Sequence, residues 1–297
     1  MLSIIICSVS EERLHAVSRN IADTVGVDYE LLVFNNAIQK WPIAKVYNSQ
    51  ADLAKFPFLL FVHEDVAFYT KDWGKIIEDK LQEENCGVIG FAGSRVKLNT
   101  YSGWWTGYYA WDCNNYWFYN QQGEQIQALG GFYNSEKYKQ VVVVDGFAMF
   151  VRKQVWEENM FDEKLLTGFH CYDIDFSLAV SRHYDNYVCN SHIELCHMSN
   201  GSFGKEWINE TIKMHKEKWS KLLPVMVNGD IVSTYLQKKR EEFLAFFFLK
   251  IVYTHAPENV KRLIRKEFMA RPFSLRHLRN ILFLPFLIIK RIVRLDS

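Results

Sequence analysis

The chain has 297 residues, 49% of them apolar and 23% charged, which is too much apolar material for a disordered protein and enough for one large core or a core and a small second unit. The formal charge is +1, yet residues 250–297 hold eleven Lys/Arg against three acids, so a tail of +8 follows a body of −7. The longest apolar run in the tail, Ile281 to Ile289, is nine residues and contains Pro285, well below the roughly 20 that span a bilayer.

In chain order, apolar runs alternate with amphipathic stretches, which predicts β-α-β units and a mostly parallel sheet. Strands are expected over 2–7, 30–34, 58–62 and 86–92, with helices over 11–24, 43–54 and 72–84 between them. Short, continuously apolar strands are covered on both faces, so chemistry belongs at their polar ends. Those ends read Cys7-Ser8, Asn35-Asn36, His63-Glu64-Asp65 and Gly93-Ser94. Residues 99–139 are aromatic and glycine-rich with little period, as in a long excursion or a β-meander. A strand pair broken at Asp145-Gly146 follows, then helices over 153–159 and 173–182, and short strands over 187–189 and 194–196. Helices over 205–223 and 232–253 lead into the basic tail. The six cysteines contain no C-x-x-C pair and no signal peptide precedes them, so a reduced, cytoplasmic chain is expected.

The run from Leu60 to Val66 is an apolar strand ending in His63, Glu64 and Asp65. A carboxylate at a buried strand end is costly unless a cation or a donor shares its site. A divalent ion held against a diphosphate is one solution, because hard cations take carboxylate and phosphate oxygens together; a helix cap or surface ion pair is the plain alternative.

With Phe61, His63, Asp65 and Val66 matching a third-strand pattern F-x-H-x-D-V, the chain resembles the family 2 glycosyltransferases of GT-A fold, and among them the small bacterial StrF-like branch. The resemblance covers about residues 3–200 in four motifs. It implies an α/β, Rossmann-like nucleotide-diphospho-sugar transferase fold with a mostly parallel central sheet, a catalytic domain over 1–204, and a helical extension over 205–297. Ser3 to Ser8 matches the opening strand whose end meets the nucleotide, which implicates Cys7, Ser8 and the following Glu11. Tyr29 to Asn36 matches a strand that usually ends Asp-Asn, here Asn35-Asn36; the amide at Asn35 can donate as well as accept. The helix carrying Asn48 leads to His63, Glu64 and Asp65, where the family usually has Asp-x-Asp. Asp65 inherits the metal position, with Mn²⁺ or Mg²⁺ implied, and His63 and Glu64 are candidate nucleotide-sugar contacts.

Val144 to Arg152, with Asp145 and Gly146, resembles the segment shaping the acceptor side. Phe169 to Leu178 matches a Glu-Asp-x-Asp helix start, with Tyr172 in the Glu position. Asp173 is the candidate catalytic base for an inverting transfer, since a carboxylate must take the acceptor proton. Its place at a helix N-terminus would weaken it as a base unless burial opposes the dipole. Asp175 is a structural cap or acceptor contact; on spacing alone, Asp-x-Asp before an apolar run is also a plain N-capping pattern. His197 fits a late metal ligand or a core histidine, whereas His170 and His192 are expected to be structural. Trp104 and Trp105 are candidates for an acceptor-sugar platform or for packing.

The implied partners are a nucleotide-sugar donor and a saccharide or lipid-linked acceptor, in bacterial surface or capsular polysaccharide synthesis. No nucleic acid is expected, because nothing resembles a recognised binding fold. The tail reads as an amphipathic element lying on the inner face of the plasma membrane, with Phe283, Leu284, Phe286 and Leu287 toward lipid and Arg276, Arg279, Lys290, Arg291 and Arg294 near phosphates. A helical hairpin packed on the domain, or a homodimer contact, is the alternative. Two other functions remain in view. A catalytically inactive carbohydrate-binding relative fits the departures at His63, Asn35 and Tyr172. A nucleotidyltransferase would need a Gly-rich basic loop where Ser8 to Arg13 stands.

Overall fold

The computed structural model describes residues 1–132, 136–199, 201, 203–230, 232–271 and 274–283. The apolar runs form strands Leu2–Ser8, Tyr29–Asn35, Phe58–His63 and Cys86–Gly90. Their lack of alternation has a direct cause, since successive side chains point to opposite faces and both faces are covered. Leu2, Ile4 and Ile6 enter one core with Leu60 and Val62, while Ile5 enters the other with Leu59 and Phe61.

These strands belong to a seven-stranded sheet, ordered Tyr138–Val141, Asp185–Cys189, Cys86–Gly90, Ala148–Arg152, Phe58–His63, Leu2–Ser8 and Tyr29–Asn35. The three strands at one end are parallel, and so is the pair Asp185–Cys189 and Cys86–Gly90. Ala148–Arg152 runs antiparallel to both its neighbours, as does the edge strand Tyr138–Val141 to its own. Five of the seven strands run the same way, as expected of a mostly parallel sheet, and Ala148–Arg152 and Tyr138–Val141 run against them. Apolar runs report burial on two faces but not strand direction, which the connections set.

The aromatic excursion resolves as a meander. Asp112–Tyr119 and Gln125–Gly130 form a hairpin in a second sheet, ordered Val143–Val144, Ala92–Ser94, Asp112–Tyr119, Leu195–His197 and Val66–Phe68. This sheet continues from the ends of main strands, as Val66–Phe68 follows Phe58–His63 and Ala92–Ser94 follows Cys86–Gly90, and it brings His197 to His63 and Asp65.

The helix expected over 205–223 ends sooner. Lys205–Met214 is α-helical and then widens into a π turn, His215–Trp219. Met214, Trp219, Leu223 and Val227 pack into the main core, so packing runs across the expected boundary at residue 204. Helices Thr234–His255 and Glu258–Met269 share a separate apolar cluster with Trp207 and Ile208. Among the described residues, no helix is long and apolar enough to cross a membrane. Of the tail residues expected near lipid, Leu284, Phe286, Leu287, Lys290, Arg291 and Arg294 lie outside the described residues.

Candidate active site

The register of the parallel strands sets the site. Cys7 lies opposite His63 and Ser8 opposite Asn35, so the polar strand ends share one edge. The backbone N–H of His63 donates to the Phe147 carbonyl at 2.9 Å, which draws the Asp145-Gly146 turn to the same edge. From the second sheet, His197 pairs opposite Val66, and the Met198 N–H donates to the Asp65 carbonyl at 3.0 Å. His63 and Asp65 from one strand end and His197 from the second sheet thus each offer one ligand atom, all within 4.8 Å of one another.

The electrostatics of this cluster favour cation binding. Burial lowers the His63 pKa to about 4, and the neighbouring His197 pushes the same way, so its imidazole is neutral near pH 7. Burial would raise Asp65, but hydrogen bonding and charge from His197, with help from Ser199, hold it well below the usual carboxylate range. His197 Nε2 stands 3.5 Å from an Asp65 oxygen, and its ring is stacked on Phe147 with centroids 4.7 Å apart. A flat apolar partner fixes that ring without consuming its nitrogens.

Tyr172 links this cluster to the candidate base. Its hydroxyl is 2.7 Å from His63 Nε2 and donates to the Gly146 carbonyl at 3.2 Å. If the single phenol proton is used there, the oxygen accepts from Nε2–H and Nδ1 keeps its lone pair for a ligand. Gly146 permits this approach: a Cβ on it would lie 2.3 Å from the Tyr172 oxygen. The Gly146 N–H donates to Asp173 at 2.9 Å. Asp145 accepts from the Phe147 N–H at 3.2 Å and from the Trp104 indole. Asp173 is raised to about 7, first by burial and next by the Asp145 charge, so burial outweighs the helix N-terminus in this contest.

Asp173 opens the helix Tyr172–Val180, whose N-cap Cys171 has φ of 64°. Two turns of chemistry hold that helix from outside the cleft. Glu206 and Glu210 accept from the backbone N–H groups of Phe169 and His170 at 3.1 and 3.0 Å. Asp175, only 1% exposed, accepts from the Trp219 indole at 2.7 Å and from Lys218 at 2.8 Å. The π turn is what presents Lys218 and Trp219 together. Lys218→Ala would leave a buried carboxylate with one donor, and it is expected to cost roughly 2 kcal/mol, less than a fully buried pair because Lys218 is one-third exposed. Urea unfolding of the two proteins checks this.

Several expected contacts are placed elsewhere. Asn48 is buried, and its amide brackets Phe161 N–H and C=O and the Trp156 indole, so it braces the core and is not free to meet a nucleotide. Asn36 is spent on the backbone of Trp41. Glu64 accepts from the Ser8 hydroxyl at 2.6 Å and from the N–H groups of Val9 and Ser10, which fixes the loop after the first strand and uses Ser8 as well. Asp175 belongs to the helix brace and not to the acceptor side. Trp105 packs on Phe243 and Phe247 of the helix Thr234–His255, away from a platform role. Asn35 and Glu11 are exposed and Cys7 is half-buried. Asp145, Gly146, Tyr172 and Trp104 stand together beside Asp173. Arg13, which sequence reasoning passed over, lines a hollow of about 270 Å³ with Asp65, Val66, Met198 and Ser199. Its signal was a lone cation in the first turn after an opening strand.

Comparison with known proteins bears on the family and the fold. A family model described as "Glycosyltransferase like family" matches residues 3–221. The crystal structure of GalNAc-T7 with UDP, GalNAc and Mn²⁺ superposes with a TM-score of 0.52 at 9% identity, covering 90% of this chain and 54% of that one. Staphylococcus aureus TarS gives 0.46 at 13% identity, over 87% of this chain and 44% of that one. This chain therefore spans about half the length of each, and the likeness to GalNAc-T7 is one of fold. No curated protein sequence matches it.

Proposed function

The chain belongs to the glycosyltransferase-like family, and on that footing we propose a metal-dependent, inverting transfer of a sugar from a nucleotide-diphosphate donor to a saccharide or lipid-linked saccharide. The observation that carries this reading is the convergence of His63, Asp65 and His197 within 4.8 Å, one Gly146-Tyr172 contact away from Asp173.

The donor set fits a divalent cation: one ionised carboxylate, and two imidazoles of which His63 is held neutral by burial. Bound there, such an ion supplies positive charge to the leaving diphosphate. The protein's own groups do the rest. Asp173 takes the proton of the acceptor hydroxyl as that oxygen bonds to the anomeric carbon and the bond to the diphosphate breaks. Asp145, Trp104 and Tyr172 border the acceptor side, Arg13 and Ser199 border the hollow beside Asp65, and Asn35 stands at the nucleotide rim. The bacterial surface or capsular polysaccharide assigned as the pathway of the acceptor rests on the resemblance alone.

Two nitrogens and one oxygen suit Mn²⁺ better than Mg²⁺, which prefers an all-oxygen shell and gives up its water reluctantly. Nucleotide-sugar hydrolysis and transfer, measured over a donor panel, are expected to run at least about tenfold faster with Mn²⁺ than with Mg²⁺ at equal concentration. A chain that binds saccharide but turns over no donor with either ion is the inactive relative, and the proposal falls.

A further inference from the structure

We propose that the C-terminal helices form a docking face for an anionic lipid surface, independent of the donor and acceptor assigned above. The family model matches residues 3–221, and these helices lie beyond that span. Ser274 caps a helical turn by accepting from the His277 N–H at 2.9 Å, and the chain is helical over residues 275–283. One side of this helix is buried: His277 and Asn280 are 2% and 5% exposed, and the His277 ring packs on Phe268. Its other side carries Leu275, Leu278 and Leu282, at 84%, 39% and 64% exposure. Spacing of i, i+3 and i+7 puts the three on a single stripe. An apolar stripe on the outside of a helix whose inside is already packed is the reverse of what folding alone selects.

Charge says what covers it. Residues 258–283 contain seven Lys/Arg and two acids. Arg262, Arg265 and Lys266 are exposed on the preceding helix and Arg279 beside the leucine stripe. On that preceding helix, Glu258 is the exposed acid, and Glu267 is bound to Lys216 and Tyr101. A second copy of the same chain would bring these cations against one another, whereas a negatively charged bilayer meets both features, the leucines entering the acyl boundary and the cations staying at the phosphates.

The test is co-sedimentation of the full chain with vesicles of phosphatidylcholine alone or mixed with phosphatidylglycerol. Binding is expected only to the anionic vesicles, weakening as salt rises. The triple variant Leu275→Glu/Leu278→Glu/Leu282→Glu should cut the bound fraction at least about tenfold. A second variant, Arg262→Ser/Arg265→Ser/Lys266→Ser, changes only exposed side chains and should do the same, so the question is answered even if the first fails to fold. Equal binding to both vesicle types, or unchanged binding of the charge variant, overturns the proposal. So does a leucine variant that stays bound while light scattering shows a dimer becoming monomer, or while its melting temperature falls because residues 284–297 cover the stripe. Donor hydrolysis in vesicle-free buffer is followed alongside, so loss of docking and loss of transfer are read separately.

Discussion

Asp65→Ala is expected to lower turnover roughly 1,000-fold and to erase the cation-dependent part of donor binding. Asp65 is the only carboxylate of the three-residue cluster, and it is the member held fully ionised at every working pH. Losing it leaves no anionic ligand to balance a divalent charge, and several kcal/mol of leaving-group stabilisation go with it. His197→Ala should fall in the same direction by less, because Asp65 and His63 remain. Thermal shift with a nucleotide diphosphate separates the effects: wild type should gain stability when Mn²⁺ is added, and the Asp65 variant should not. A normal Mn²⁺-dependent shift in Asp65→Ala sinks the metal assignment.

Asp173→Asn is expected to leave donor binding intact while lowering turnover about 10²- to 10⁴-fold, the usual yield of a positioned base. In the free protein Asp173 titrates at about 7, so kcat/KM of the wild type should drop about tenfold for each pH unit below that value. A cation on the nearby cluster pulls the carboxyl down, and the acid limb of kcat should lie at lower pH than that of kcat/KM. Stability moves the other way. The folded pKa is raised above the ordinary 3.8, so between about pH 4 and 7 the folded form holds the extra proton and loses stability as pH rises. Asparagine stays neutral, and the variant should therefore melt no lower than wild type at pH 8. A variant that is inactive because it is unfolded would fail that comparison.

Much of this arrangement is legible in the chain's own letters. The unbroken apolar runs ending in Cys7-Ser8, Asn35-Asn36 and His63-Glu64-Asp65 give both the central strands and the edge where the site lies. Charge and spacing could not say which polar groups the fold would consume. Asn48, Asn36 and Glu64 read as ligand contacts because they follow strands or sit on the right helix, yet each satisfies backbone groups that a tight loop or core leaves unpaired. Strand direction is also invisible locally, which is why Ala148–Arg152 was not expected to run antiparallel between two neighbours. The Tyr172 to His63 bond joins residues 109 apart, and the Trp219 to Asp175 bond depends on a π turn that no periodicity announces.

Of the three residues that converge on the candidate ion, His63 and Asp65 are near neighbours in the chain, while His197 follows far downstream on a strand of a different sheet. A nascent chain that has emerged only through Asp65 already carries two donors but no pocket to hold them in place. On the proposed function, ion capture would be a late event in the life of this polypeptide, and affinity for the metal would report whether the two sheets have met.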